Sequence, residues 1–199
     1  GSGYSLAGAA LYLVLYSWDL VENVLLYGAA AHFLHFTRLS LLAAAICIVL
    51  RLIFDVILLC VDNVHLRRGI AVVTYAGASI ALQLYLAYAA VLLVANGDVA
   101  TLLDQMMLTP DREVLNAVTL HFAPLFVFLP LVFGQGHVLS RAWRLVTWFS
   151  AAAIVDLVYI LLLVARNSDA PALRGVDALP TAVAFLATLI PFSLSATLL

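Results

Sequence analysis

A charged side chain at bilayer depth costs roughly 2.5–3.5 kcal/mol on insertion scales. The charges that sit inside long apolar runs of this chain are therefore the first places to look for chemistry. Asp19 and Glu22 are three residues apart and share a helical face. Two carboxylates held that close tend to share one proton, with one of the two made harder to ionise. The functional reading is a proton or cation site. The structural one is that each carboxylate bonds a different neighbouring helix, or lies at the water boundary. Arg51 and Asp55 are four apart near the centre of the next run. That spacing suits a local ion pair that offsets the cost of insertion, or a gating or substrate-binding pair. Asp156 has no basic residue within four positions. It must be protonated, water-facing or paired with another helix. Arg51 is the only deep basic candidate, so depth predicts a triad of Arg51, Asp55 and Asp156, with Gln83 able to join it. Asp62 ends its run and is expected to be solvated.

Histidine is the other chemistry-bearing type. His32 and His35 share a face, and His121 lies three residues before Pro124. Haem or a metal would need such histidines facing one another on adjacent helices. The plainer expectation is that His32 and His35 are boundary residues beside Arg38 and that His121 bonds a carbonyl. No haem, metal or other cofactor is expected, while bound lipids are. The sequence contains no HExxH, GxSxG, glycine-rich phosphate loop or NPA-type pore motif, and no arginine at every third position as in a voltage sensor. All nine basic residues are arginine, which excludes Schiff-base and P-loop lysine chemistry. Cys47 and Cys60 are thirteen apart on one predicted helix, about 20 Å by helical rise, so they cannot pair with each other.

The elements that must position these residues are apolar. Hydrophobic residues make up 66% of the 199 positions and charged ones 10%, against roughly 45–50% and 25% in soluble domains. So few charges cannot form a polar shell. The apolar residues fall in runs of about 20 or more, long enough to cross a bilayer. The predicted fold is all-α, a single polytopic bundle of about six transmembrane helices over 1–199. The spans are 4–36, 39–62, 69–96, 112–134, 141–166 and 179–199, with a short interfacial helix at 98–108. The first is one long tilted helix or one that protrudes. Pro124 and Pro130 in the fourth, and Pro180 and Pro191 in the sixth, predict kinks. Close-packing seams of small residues are expected at Gly28 to Ala31, Ala43 to Ala45, Gly77 with Ala81, and Ser150 to Ala153. The start Gly1-Ser2-Gly3 reads as a processed or trimmed end.

Several features recur about 100–106 residues apart: Leu39-Ser40 with Leu139-Ser140, Asp55 with Asp156, Arg68-Gly69 with Arg174-Gly175, and His35 with His137. They would fit a three-plus-three inverted repeat, although Leu-rich helices also align by composition alone. The orienting rule is silent. Arg67, Arg68, Arg141 and Arg144 fall on the side of the termini, and Arg38, Arg112, Arg166 and Arg174 on the other.

The function classes that remain are ordered by what the sequence shows. Minimal loops, small-residue seams and the lack of a catalytic constellation favour an accessory or scaffolding subunit of a larger membrane complex. Buried carboxylates and proline-broken helices favour an ion- or proton-coupled transporter or channel. A receptor or sensor, and an intramembrane enzyme, have less support. The expected partners are the lipid bilayer and other membrane subunits or further copies of the chain; nucleic acid is not expected. An organellar inner membrane, a bacterial membrane and the plasma membrane are all compatible with the composition.

Overall fold

The computed structural model describes residues 2–29, 36–94, 122–135 and 138–167. Every regular element among them is an α-helix: α1 (Ser2–Tyr27), α2 (Phe36–Cys60), α3 (Val64–Val94), α4 (Ala123–Gln135) and α5 (Arg141–Asn167). The helix ends have local causes. Gly28 follows α1 with φ +82°, and its N–H donates to the Val24 carbonyl at 2.9 Å. This is the left-handed position that closes many helices and that glycine occupies without a Cβ penalty. α1 therefore closes at Tyr27, inside the long first run. Gly28 is not a packing seam, since a Cβ there would meet nothing within 4 Å. Asn63 caps α3, its Oδ1 accepting from His65 N–H at 2.8 Å, one of the donors that every helix start leaves open. Ser140 caps α5, its Oγ accepting from Trp143 N–H at 3.4 Å.

Among the described residues three helices are long and apolar enough to cross a membrane: Phe36–Cys60, Val64–Leu86 and Arg141–Leu162. The 25 residues of α2 would reach about 37 Å at 1.5 Å per residue, more than the roughly 30 Å of hydrocarbon. α4 is a shorter apolar helix, and Pro130 lies inside it. The predicted interfacial helix and the sixth span lie outside the described residues.

Successive helices alternate in direction. Tyr12 meets Leu41 and Asp19 meets Arg38, so α1 and α2 run antiparallel. Arg51 meets Thr74, and Phe54 lies against Gly69, so α2 and α3 do too. Tyr85 touches Phe122 and Gly77 lies under Phe128, which reverses α4 against α3. Ser79 meets Trp148 and Gln83 meets Asp156, which makes α5 parallel to α3. α3 is the hub, packed on α2, α4 and α5. Its Thr74, Ala81, Gln83 and Leu84 are fully buried. The surrounding helices turn large apolar side chains outward, among them Trp18, Leu25, Leu59 and Phe133. Water would oppose such a surface, whereas lipid tails suit it.

The Gly77 seam has a specific occupant. A Cβ on Gly77 would fall 2.2 Å from Phe128 Cζ and 2.3 Å from its Cε1. The Phe128 ring, itself fully buried, thus rests on the α3 backbone. Ala44, Ala45, Ala81 and Ala152 are also buried, as the other small-residue seams predict.

Candidate functional site

Three polar side chains on the hub helix each reach a neighbour. Ser79 and Gln83 are one turn apart and share a face. Thr74 lies five residues before Ser79, about 140° away around the axis. Ser79 and Gln83 therefore serve α5, while Thr74 serves α2. Thr74 Oγ1 donates back to the Ile70 carbonyl at 2.7 Å and accepts from Arg51 Nη1 at 2.5 Å. Arg51 Nε also donates to Asp55 Oδ2 at 2.8 Å. The predicted local pair is thus present and is tied to α3 through Thr74. Asp55 is its outer member, with 37% of its side chain exposed against 12% for Arg51. Ser79 Oγ donates to the Trp148 carbonyl at 2.6 Å. Gln83 Nε2 donates to Asp156 Oδ1 at 2.6 Å, with Gln83 fully buried and Asp156 8% exposed. Gln83, expected as a fourth member of a triad, is the side chain that meets Asp156. Arg51 meets Asp55 and Thr74.

A second polar contact joins α1 to α2. Arg38 Nη1 donates to Asp19 Oδ2, and the side chains are 7% and 13% exposed. Sequence reasoning grouped Asp19 with Glu22 and counted Arg38 as a boundary residue. In the fold, Arg38 lies in the first turn of α2, 6% exposed. The break at Gly28 lets the chain reverse, and α2 then returns past Asp19. Tyr12 and Tyr16 stack nearby on α1 with ring centres 6.2 Å apart, and the Tyr12 hydroxyl donates to the Leu41 carbonyl at 3.4 Å. Phe36 packs edge-on against Tyr159 at 5.4 Å, tying the start of α2 to α5. Asp62 is exposed, as expected, and pairs with Arg67 at 2.9 Å, a surface contact that contributes little to stability.

Glu22 faces elsewhere. It is half-buried and helps line an open groove of about 630 Å³ along α1, with Val14, Trp18, Val21 and Leu25. His32, His35 and His121 lie outside the described residues. Among the described residues no three His, Cys, Asp or Glu side chains group as metal ligands. The residues matched in the proposed repeat take different local roles. Ser40 Oγ donates to the Phe36 carbonyl within α2, whereas Ser140 caps α5. Asp55 bonds its own helix, whereas Asp156 bonds α3.

Sequence reasoning named Gln83 but missed Thr74, Ser79, Arg38 and Phe128. The signal for the first two was present: an isolated hydroxyl in an apolar helix marks a contact with another helix. Comparison with protein-family models, with curated proteins and with solved structures finds no match.

Proposed function

We propose that this chain is a non-catalytic, multi-pass subunit that braces a larger membrane assembly. The observation that carries this reading is where the deep charges go. Asp19 meets Arg38, Arg51 meets Asp55 and Thr74, and Asp156 meets Gln83. Each contact is made within the chain, and all but the Arg51–Asp55 bond join two helices. Polar groups used this way act as glue between helices in lipid, at about 0.6 kcal/mol on average and up to about 1.7. The outer face of α1 adds support. Leu11, Val14, Trp18, Val21 and Leu25 are all more than half exposed. Their alternating three- and four-residue spacing is the seam pattern that helices use to pack on one another. The full reading has six crossings, with the sixth run at 179–199 completing the bundle.

The test is purification of the tagged chain from its native membrane in a mild detergent, with a photo-crosslinker at position 18. The expected result is a fixed-stoichiometry complex in which position 18 links to one membrane partner. A chain that stays monodisperse and stable alone, with position 18 reacting only with lipid, refutes the reading. The alternative, an ion- or proton-coupled carrier, is favoured by the buried carboxylate of Asp156. It predicts proton flux in proteoliposomes that Asp156→Asn abolishes.

A further inference from the structure

We propose that the outer face of α1 is the seam of a homodimer, in which a second copy of this chain packs parallel to the first about a two-fold axis along the membrane normal and Ser17 of each copy donates a hydrogen bond to Glu22 of the other. This rests on the reading of the α1 face as an interface, given above, and names its partner.

The first ground is the heptad. Ala7, Leu11, Val14, Trp18, Val21 and Leu25 all face outward, at alternating spacings of four and three residues. They are the a and d positions of one continuous heptad pattern, with Leu11, Trp18 and Leu25 at a. The side chains that α1 turns into its own bundle are Ala9, Tyr12, Tyr16 and Asp19. These fall at b and f, on the opposite side. The helix thus has one face used within the chain and a second, seam-like face turned away from it.

The second ground is where the polar residues fall. Ser17 and Glu22 line the same groove and occupy g and e, one on each side of the seam. In a parallel pair, each g residue lies opposite the e residue five positions further along the partner helix. A second copy therefore sets Ser17 against Glu22 on both flanks at once. The hydroxyl donates, and the carboxyl, with about four acceptor sites, has room for it beside any contact within its own chain. An antiparallel pair would set e against e and bring carboxyl toward carboxyl. Two copies inserted with the same topology cannot form that pair in any case. Self-complementarity of this kind is what a two-fold interface requires.

The third ground is the shape of the groove. In knobs-into-holes packing each a or d side chain enters a hole formed by four residues of the facing helix. The hole for Trp18 is formed by Val14, Ser17, Trp18 and Val21 of the second copy, and that for Val21 by Trp18, Val21, Glu22 and Leu25. Together with Leu13, those residues are the ones that line the open groove. The groove is thus a row of holes that the same side chains, as knobs, would fill. Trp18 sits at its centre, and tryptophan is among the residue types that most often dominate an interface.

Cysteine cross-linking of the full chain in its native membrane tests this, in a background with Cys47 and Cys60 replaced by alanine. On oxidation, Val14→Cys and Val21→Cys should each give a disulfide-linked species of twice the chain mass, and Leu20→Cys, off the seam, should not. When Ser17→Cys and Glu22→Cys chains with different tags are co-expressed, a short bifunctional thiol reagent should join unlike tags several-fold more than like tags. No linked dimer from either seam cysteine overturns the proposal, and so does equal joining of like and unlike tags. Should the Glu22→Cys chain fail to assemble, the two seam cysteines decide. A photo-crosslinker at position 18 separates this proposal from the bracing role. Linkage to a different protein, or to residues 179–199 of its own chain, overturns the homodimer, and the different protein leaves the bracing role standing. Linkage to lipid alone removes both.

Discussion

Gly77→Ala should destabilise the bundle, although alanine is the better helix former. Two effects compete. In a helix interior the substitution gains about 0.5–1 kcal/mol of backbone preference. Against this, the new Cβ would lie 2.2, 2.3 and 2.7 Å from three carbons of the Phe128 ring. Unbonded carbons prefer about 3.5–4.0 Å, so the overlap is more than 1 Å at two of the atoms and nearly as much at the third. The ring is fully buried and cannot swing into open space, so α3 and α4 must separate. Over-packing of this kind costs about 1–3 kcal/mol, and three simultaneous clashes place it toward the upper end. The expected net loss is about 1–2 kcal/mol. Reversible unfolding in mixed micelles, followed by far-UV circular dichroism, measures it. Phe128→Leu supplies the control, because leucine has no atoms at the clashing Cζ and Cε positions. In that background Gly77→Ala should become neutral or stabilising by up to about 1 kcal/mol. The same destabilisation in both backgrounds, or none in the wild-type background, would refute the seam.

Other consequences follow from the same contacts. Thr74→Val keeps the shape but deprives Arg51 of its α3 acceptor; a loss of about 1–3 kcal/mol is expected in the same unfolding assay, and Thr74→Ser should recover most of it. Burial of Arg38 removes it from the loop arginines, leaving Arg67, Arg68, Arg141 and Arg144 against Arg112, Arg166 and Arg174. With the six proposed crossings, this bias predicts that the starts of α3 and α5 face the cytoplasm. Impermeant thiol labelling of intact cells or vesicles should then spare a cysteine at position 67, whereas labelling from outside reverses the orientation.

What the sequence revealed depended on how local each feature is. The run at 141–166 lies within one residue of α5, and 39–62 falls within three residues of α2, because apolar composition is read within one helix. Arg51 with Asp55 was legible for the same reason: the pair needs only a helical turn. Asp19 with Arg38 was not. It depends on a helix that stops at Gly28 and a chain that returns alongside, which a continuous apolar run conceals. Gly77 stood out as small, but its partner lies 51 residues away on α4. Gln83 was singled out for its polarity and depth. That it would meet Asp156 follows only once α3 and α5 are known to run parallel.

The claim on which the account turns is that deep charges of this chain hold its helices to one another. A charge swap at the α1–α2 contact tests it most directly. Asp19→Asn and Arg38→Gln should each lower unfolding stability in lipid by about 3–5 kcal/mol, since breaking one side of a buried pair leaves the other uncompensated. The exchanged variant, Asp19→Arg with Arg38→Asp, should regain more than half of that loss. Stability unchanged by either single substitution, or an exchanged variant no better than the sum of its parts, would contradict the account.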